Sequence, residues 1–552
     1  MRRIIYPICL SFITFYMLFI YEPIVMLSNN IDDLWFDLHM MLPSIIIITF
    51  ILTTILLLLY FILYIIFNEK HKKVFDIVTI VHFVLFFILY IHGNFMAKKL
   101  HILDGTKFAL KNYTIDIIVS VVVILLIIII AIISIKKFGT ERIVKISKYL
   151  SIIIFIMLSV GLISTLISNP KVLKEKTYMP IATYKNIQNY SKNKNFIMFV
   201  LDGADSREFD KARKNSKYKN IFKDFTYYPD TMSTYGNTSN SVPYILTGIW
   251  DEKTEEFNEY SKNAYKNSHF FKLLRKNKYN MNIYANEIIM NSNEGSNILN
   301  FYYQNSEIDT YLFFKEEVKY ISFKYLPYFL KSFSGINSLK LTADIISVKD
   351  EEMSSYNYYS WDNLINYDTF RNGIIKKKNK NEFKYIHIEG PHLPFNMDED
   401  LNIIDEGTYT QKIKASLKIV DVYLNKLKDE KIYDNSVIII MSDHGLSENP
   451  DFKGRQNPIL FIKGINEHHD FKVSDKPISY TDLMGAYEQL LNGKKSIDLF
   501  KNIKKDRKRR FLYYPDQYSN MLIELYQTGK AWDLNTMKET GKTYVLEKKD
   551  EK

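Results

Sequence analysis

One cysteine, Cys9, in 552 residues removes several architectures at once. No internal disulfide framework can form, and no cysteine-based zinc knuckle can be built. Cys9 itself lies in an apolar run near the start, where a thiol packs as a small hydrophobe and carries no chemistry. Also missing is a basic stretch interleaved with aromatics, so the net charge of +11 and the pI near 9.0 do not point to nucleic acid. No nucleic-acid partner is expected, and the lysine excess is read as serving membrane topology and an anionic surface. The chain shows no internal repeat. Its first apolar run is too long for a signal peptide and lacks a small-residue cleavage site, so it reads as a retained anchor.

Five apolar runs fill the first third, at 4–27, 44–67, 74–96, 113–135 and 149–168. Each can cross a bilayer, which takes about 20 residues at helical rise. Basic residues fall on one side of this pattern: Arg2 and Arg3, then Lys70, Lys72 and Lys73, then Lys136, Lys137, Arg142, Lys145 and Lys148. The first connecting loop carries Asp32 and Asp33 and no lysine or arginine, so the basic side is the cytoplasm. A third loop with Lys98, Lys99, Lys107 and Lys111 runs against the rule. Five crossings from a cytoplasmic start put the rest of the chain outside. The expected organisation is a transmembrane domain at 1–168, integral to the plasma membrane, and a linker at 169–193 interrupted by Pro170 and Pro180. A soluble outer domain at 194–500 and a basic C-terminal extension at 501–552 follow.

Beyond the linker, strand-like runs alternate with helical ones, the pattern of an α/β domain. Phe196 to Leu201 are apolar without a break and are followed by Asp202 and Gly203, which reads as a buried strand delivering a carboxylate to a sheet edge. The crevice outside strand ends is where open α/β sheets bind ligands, though an Asp there can equally cap the next helix. The stretch Asn435–Gly445 repeats the logic, a run Val437–Met441 ending in Asp443 and His444. Carboxylate and imidazole donors suit zinc or manganese better than calcium. In Tyr235–Gly248, Gly236 permits a turn, while Thr238 and Ser239 precede a helical run. Thr238 is either a plain cap or a hydroxyl placed where an anion is favoured. In Phe383–Phe395 a strand ends at Ile388 and is followed by Glu389 and a rigid Pro391-His392-Leu393-Pro394 turn, and two histidines, His387 and His392, beside that strand end suit substrate contact. Thr410–Leu427 is an amphipathic helix whose lysines read as a solvated face. The run Lys501–Arg510 reads as solvated too. Residues 300–369, rich in Tyr, Phe and Asn, read as an insertion capping the domain.

LDGAD, GNTSNSVPYILTG, HIEGPHLP and YDNSVIIIMSDHG, in this order, resemble the alkaline phosphatase superfamily in its sulfatase-like branch. With five helices in front, the chain resembles lipoteichoic acid synthases and phosphoethanolamine transferases in particular. The resemblance implies a central, mostly parallel sheet flanked by helices in an extracytoplasmic domain. It implies one Mn²⁺ or Zn²⁺ held by Asp202, Asp443 and His444 with the Thr238 hydroxyl, Thr238 as nucleophile, and His392 as the histidine that contacts substrate and assists the leaving group. The family's two-metal members carry a further histidine where this chain has Ser479-Tyr480-Thr481-Asp482-Leu483, hence a single metal, with His468 and His469 at the surface. The implied reaction moves phosphoglycerol or phosphoethanolamine from a membrane phospholipid donor to a cell-surface glycan or polymer acceptor through phosphothreonine. The absence of disulfides favours phosphoglycerol. Two alternatives stand beside it: a sulfatase-like hydrolase acting as phosphodiesterase or phosphatase, and a non-catalytic membrane scaffold. A formylglycine sulfatase needs Cys or Ser in C/S-x-P-x-R, and Thr238 within NTSNS is neither.

Overall fold

The computed structural model describes residues 4–31, 34, 36–67, 71–97, 110–174, 181–212, 220–286, 288–290, 292–302, 307–331, 345–347, 358, 360–446, 452–516 and 519–546. The chain divides into two compact units, Met1–Thr177 with Asn305–Lys349, and Tyr178–Gln304 with Asp350–Lys552. It therefore passes between them at 177–178, 304–305 and 349–350.

Among the described residues, the first unit contains five helices long and apolar enough to cross a membrane: Ile5–Asn29, Leu38–Ile66, Lys72–Met96, Leu110–Phe138 and Thr140–Ser168. Only 6% of the apolar window of Leu110–Phe138 is buried against protein, an arrangement suited to lipid and not to water. The fourth and fifth helices join at Gly139, whose φ of +79° a side chain would resist. Lys136 and Lys137 end one helix there, and Arg142 and Lys145 begin the next, as the basic-side reading requires. The charges Arg2, Arg3, Asp32, Asp33, Lys70, Lys98, Lys99 and Lys107 lie outside the described residues.

The expected cap at 300–369 is corrected by its central part, which belongs with the membrane helices. Helix Thr310–Tyr325 stacks Phe314 on Phe19 and pairs Thr310 with Ser44 at 2.9 Å. Glu22, fully buried in the first span, receives Lys324 Nζ at 2.5 Å and the Tyr325 hydroxyl at 2.7 Å. Beyond the helix, Tyr328 donates to the Met96 carbonyl and packs on Tyr113. Phe19 and Glu22 lie towards the end of the first span, Ser44 near the start of the second, Met96 at the end of the third and Tyr113 at the start of the fourth. With a cytoplasmic N-terminus, all four are outer ends. A charge on an apolar helix is costly to bury alone, and the sequence supplies its partner some 300 residues later.

The second unit is built on a seven-stranded sheet. Its strands are β1 (Asn195–Leu201), β2 (Thr226–Tyr227), β3 (Tyr279–Tyr284), β4 (Asn381–Ile388), β5 (Ser436–Met441), β6 (Leu460–Lys463) and β7 (Lys472–Val473), in the order β7-β2-β6-β5-β1-β4-β3. β3, β4, β1 and β5 run parallel, and β6 is antiparallel to both of its neighbours, so the sheet is mostly parallel as expected. β1 and β5 are buried along their whole length, which is why their sequences run apolar without alternation. Two short strands, Ile181–Ala182 and Asn189–Ser191, lie within 169–193 and pair with Phe301–Tyr302 and Lys376–Lys378.

The C-terminal residues form an antiparallel sheet of β8 (Arg509–Tyr513), β9 (Met521–Gln527) and β10 (Met537–Val545). This corrects the solvated reading of Lys501–Arg510 at its second half. Arg509 is buried, with Nη1 3.0 Å from Asp230 Oδ1 and donating to the carbonyls of Asp230 and Ile478. Arg507 pairs with Asp482, and Arg510 with Glu252 and Glu524. Removing one side of a buried pair costs about 3–5 kcal/mol, because the other charge stays behind. Arg509→Met is expected to lose stability on that scale, read as a drop in the thermal midpoint, with Lys530 at 3.1 Å and the Ala531 N–H at 2.8 Å left to Asp230.

Candidate metal centre

The register of the sheet sets the site. Val200 of β1 is level with Met441 of β5 and with His387 of β4, so the residues that follow emerge together at the carboxyl edge. Asp202 comes directly after β1, Asp443 and His444 two and three residues after β5, and Glu389 directly after β4. Gly203, at φ +67°, turns the chain away behind Asp202. Asp202, Asp443 and His444 are all buried, and one ligand atom from each lies within 4.8 Å of the others.

The groups fit a divalent cation atom by atom. Asp443 Oδ1 is occupied by the Gly203 N–H and the Ser442 hydroxyl, both at 3.1 Å, while Oδ2 is buried with no hydrogen-bond partner. Asp202 repeats the division: Oδ2 accepts from Thr238 Oγ1 at 3.2 Å and Oδ1 has no partner. Two buried carboxylate oxygens without a hydrogen-bond partner are costly unless a cation meets them. His444 Nδ1 is 2.7 Å from the Gly445 carbonyl. That contact requires a proton on Nδ1 and leaves Nε2 as the lone-pair atom. Nε2 lies 3.4 Å from Asp443 Oδ2 and 4.0 Å from Asp202 Oδ1. The cluster is consistent with a single divalent ion, and oxygen and imidazole donors fit Mn²⁺ or Zn²⁺.

Thr238 completes the picture. Its helix, Thr238–Thr247, has Asn237 as N-cap, and Thr238 is the first helical residue and not the cap. The hydroxyl is turned to Asp202 and to His444 Nε2, 3.3 Å away. The hydroxyl therefore does not cap the helix. Burial would raise the Asp202 pKa, but the imidazoles of His392, His387 and His444 outweigh it and hold this carboxyl below its usual range.

His392 and His387 take different places. His387 is buried in β4 with Nε2 3.5 Å from Asp202 Oδ2, behind the carboxylate. His392 lies on the loop after β4, Nδ1 against the Leu393 carbonyl at 2.7 Å and the ring edge-on to Trp361 at 4.7 Å. Burial lowers the His392 pKa, and the Asp202 carboxylate opposes that shift. His468 is exposed and His469 partly so, as expected of surface residues.

Lys412 corrects the reading of its helix. That helix runs Tyr409–Asp429, and Lys412 in its first turn is fully buried. Its ammonium binds Glu389 Oε1 at 2.5 Å and the carbonyls of His392 and Pro394 at 2.7 and 2.8 Å. It thus clamps both ends of the turn that carries His392. Burial raises the Glu389 pKa and Lys412 opposes it. Lys412→Met is expected to cost about 3–5 kcal/mol by stranding Glu389, measured by chemical denaturation. Lys412→Arg is expected to retain more of that stability.

A seven-stranded α/β sheet carries two carboxylates, an imidazole and a hydroxyl at its carboxyl edge, a candidate metal centre. The family described as Sulfatase matches residues 194–485, and the chain belongs to it. A curated relative, the lipoteichoic acid synthase-like YvgJ of Bacillus subtilis (strain 168), is 36% identical over 66 residues, which is 10% of this chain and 11% of that protein. The chain thus matches about a tenth of that relative's length. Among solved structures, Ps i-CgsB in complex with k-i-k-neocarrahexaose is 16% identical with a TM-score of 0.41, covering 61% of this chain and 82% of that one. A protein in the alkaline phosphatase superfamily from Vibrio parahaemolyticus is 11% identical with a TM-score of 0.35, covering 67% and 85%. The protein is a multi-pass plasma-membrane member of the sulfatase family with its catalytic domain on the extracytoplasmic side.

Proposed function

We propose that the protein is a metal-dependent phosphoester hydrolase of the cell envelope with Thr238 as nucleophile. The observation that carries this reading is the Thr238 hydroxyl, 3.2 Å from Asp202 and 3.3 Å from His444 Nε2, beside two orphaned carboxylate oxygens. Asp202, Asp443 and His444 would hold the ion, which supplies positive charge that lowers the pKa of the hydroxyl and offsets charge on the transferring group. Thr238 Oγ1 loses its proton to solvent and bonds to phosphorus. The bond from phosphorus to the leaving oxygen breaks, its electron pair stays with that oxygen, and His392 relays a proton to it. Water then displaces Thr238 from the phosphothreonine. His392 is kept in place for this by Lys412 and Trp361. Membership of the sulfatase family supports hydrolysis, and threonine at the nucleophile position supports phosphate over sulfate as the group cleaved.

The second reading is transfer in place of hydrolysis, with a phosphoglycerol or phosphoethanolamine head group passed from a phospholipid to a surface glycan. The match to a lipoteichoic acid synthase-like relative and the five spans favour it. The two readings share every step up to the phosphothreonine. Full-length protein in vesicles of phosphatidylglycerol and phosphatidylethanolamine, in ¹⁸O-labelled water with an oligosaccharide acceptor, separates them. Hydrolysis yields diacylglycerol and a phosphorylated head group carrying one ¹⁸O. Transfer yields diacylglycerol and a modified oligosaccharide without label. Formation of neither from lipids or from a chromogenic phosphodiester contradicts both.

A further inference from the structure

Residues 307–331 leave the catalytic sequence, pack on the outer ends of four spans and return, and the metal centre makes no use of them. One side of this segment is locked to protein by Phe314, Lys324, Tyr325 and Tyr328. The other side is bare. Along helix Thr310–Tyr325 the exposed residues are Tyr311, Lys315 and Val318, at spacings of 4 and 3, which place them in one stripe. Tyr311 is 73% exposed. In the following turn Phe329 and Leu330 are exposed side by side.

This is the chemistry of a bilayer interface, where tyrosine sits at head-group level, lysine reaches outward and short apolar groups enter the acyl boundary. Phe95 at the end of the third span, Leu110 at the start of the fourth and Leu173 just after the fifth are exposed apolar residues at the same outer ends. The partner groups on the other side are equally informative. Phe19, Glu22 and Ser44 each lie within a span, so the segment meets the helices inside their apolar length and not beyond it.

We propose that residues 307–331 are a second membrane anchor, whose exposed stripe Tyr311-Lys315-Val318 is seated at head-group level of the outer leaflet and whose tip Phe329-Leu330 enters the acyl boundary. The occupant of this face is lipid. The sequence of the second unit consequently continues into membrane-seated chain at three junctions, 177–178, 304–305 and 349–350. This inference is independent of the Thr238 reading.

The test is spin-label accessibility in the full-length protein, reconstituted in vesicles of phosphatidylcholine and phosphatidylglycerol. In a Cys9→Ser background, labels are placed one at a time through Leu330→Cys, Phe329→Cys and Tyr311→Cys, all at exposed positions that the fold tolerates. Ile129→Cys, an exposed position within the fourth span, is the lipid reference. The expected result is relaxation by oxygen and loss of relaxation by a water-soluble nickel chelate at Leu330 and Phe329, as at Ile129, with Tyr311 intermediate. Full relaxation by the chelate at all three positions overturns the proposal by showing the face in water. Dipolar broadening between copies at Leu330 overturns it by showing a second protein chain there. Enzyme activity enters neither readout, so failure here is distinct from failure of the catalytic reading.

Discussion

Thr238→Ala is expected to lower phosphoester cleavage by roughly 10⁴–10⁶-fold, the scale on which loss of a hydroxyl nucleophile is felt. The substitution removes Oγ1 from its contacts with Asp202 and His444 and little else. Thr238 does not cap its helix, Asn237 remains as N-cap, and alanine is the best helix former, so the fold should be undisturbed. Metal content should stay close to that of the wild type, since the carboxylates and the imidazole remain. Thr238→Ser keeps the hydroxyl and should retain much more activity. The measurement is single-turnover cleavage alongside metal analysis of the same samples. Loss of metal together with activity would mean that Thr238 builds the site and does not itself react.

Asp443→Asn should act the other way round, on metal first and on activity through it. Oδ1 of Asp443 accepts from the Gly203 N–H and the Ser442 hydroxyl, and an amide oxygen can keep both bonds. The atom facing the ion, Oδ2, becomes an uncharged NH₂ that donates where a donor pair is needed. Losing an outer partner of a metal ligand already costs 10–100-fold in affinity, so replacing a ligand should cost more than about 100-fold. The purified variant should carry little metal. Because an ion that binds only the folded state stabilises it by mass action, chelator should lower the wild-type thermal midpoint and leave that of Asp443→Asn unchanged. Equal metal content in the two proteins would remove Asp443 from the site.

The parts of the site legible in the sequence are those fixed by local pattern. Uninterrupted apolar runs before Asp202 and Asp443-His444 mark strands buried on both faces, and parallel pairing then brings their ends level. Thr238 is legible as a residue at a helix start, but only the sheet edge beneath it shows which way the hydroxyl turns. Lys412 is hidden because periodicity assigns it to the polar face of an amphipathic helix. It is buried by the turn at Pro394, through contacts 18 to 23 residues apart in the chain. Arg509 is hidden similarly, a member of a basic run that a buried aspartate, Asp230, claims. For residues 307–331 the one visible signal is on the partner, Glu22, an acid inside the first apolar run that needs a cation. Nothing local in Lys324 says that it is the answer.

The most direct test of the central claim is acid-quenched mass spectrometry of the wild-type chain with its metal, mixed with a slow phosphodiester and digested to peptides. One phosphoryl-type adduct is expected on the peptide containing Thr238, absent after chelation and absent in Thr238→Ala. Turnover at the normal rate with that peptide unmodified at every quench time, together with undiminished cleavage by Thr238→Ala, would contradict it.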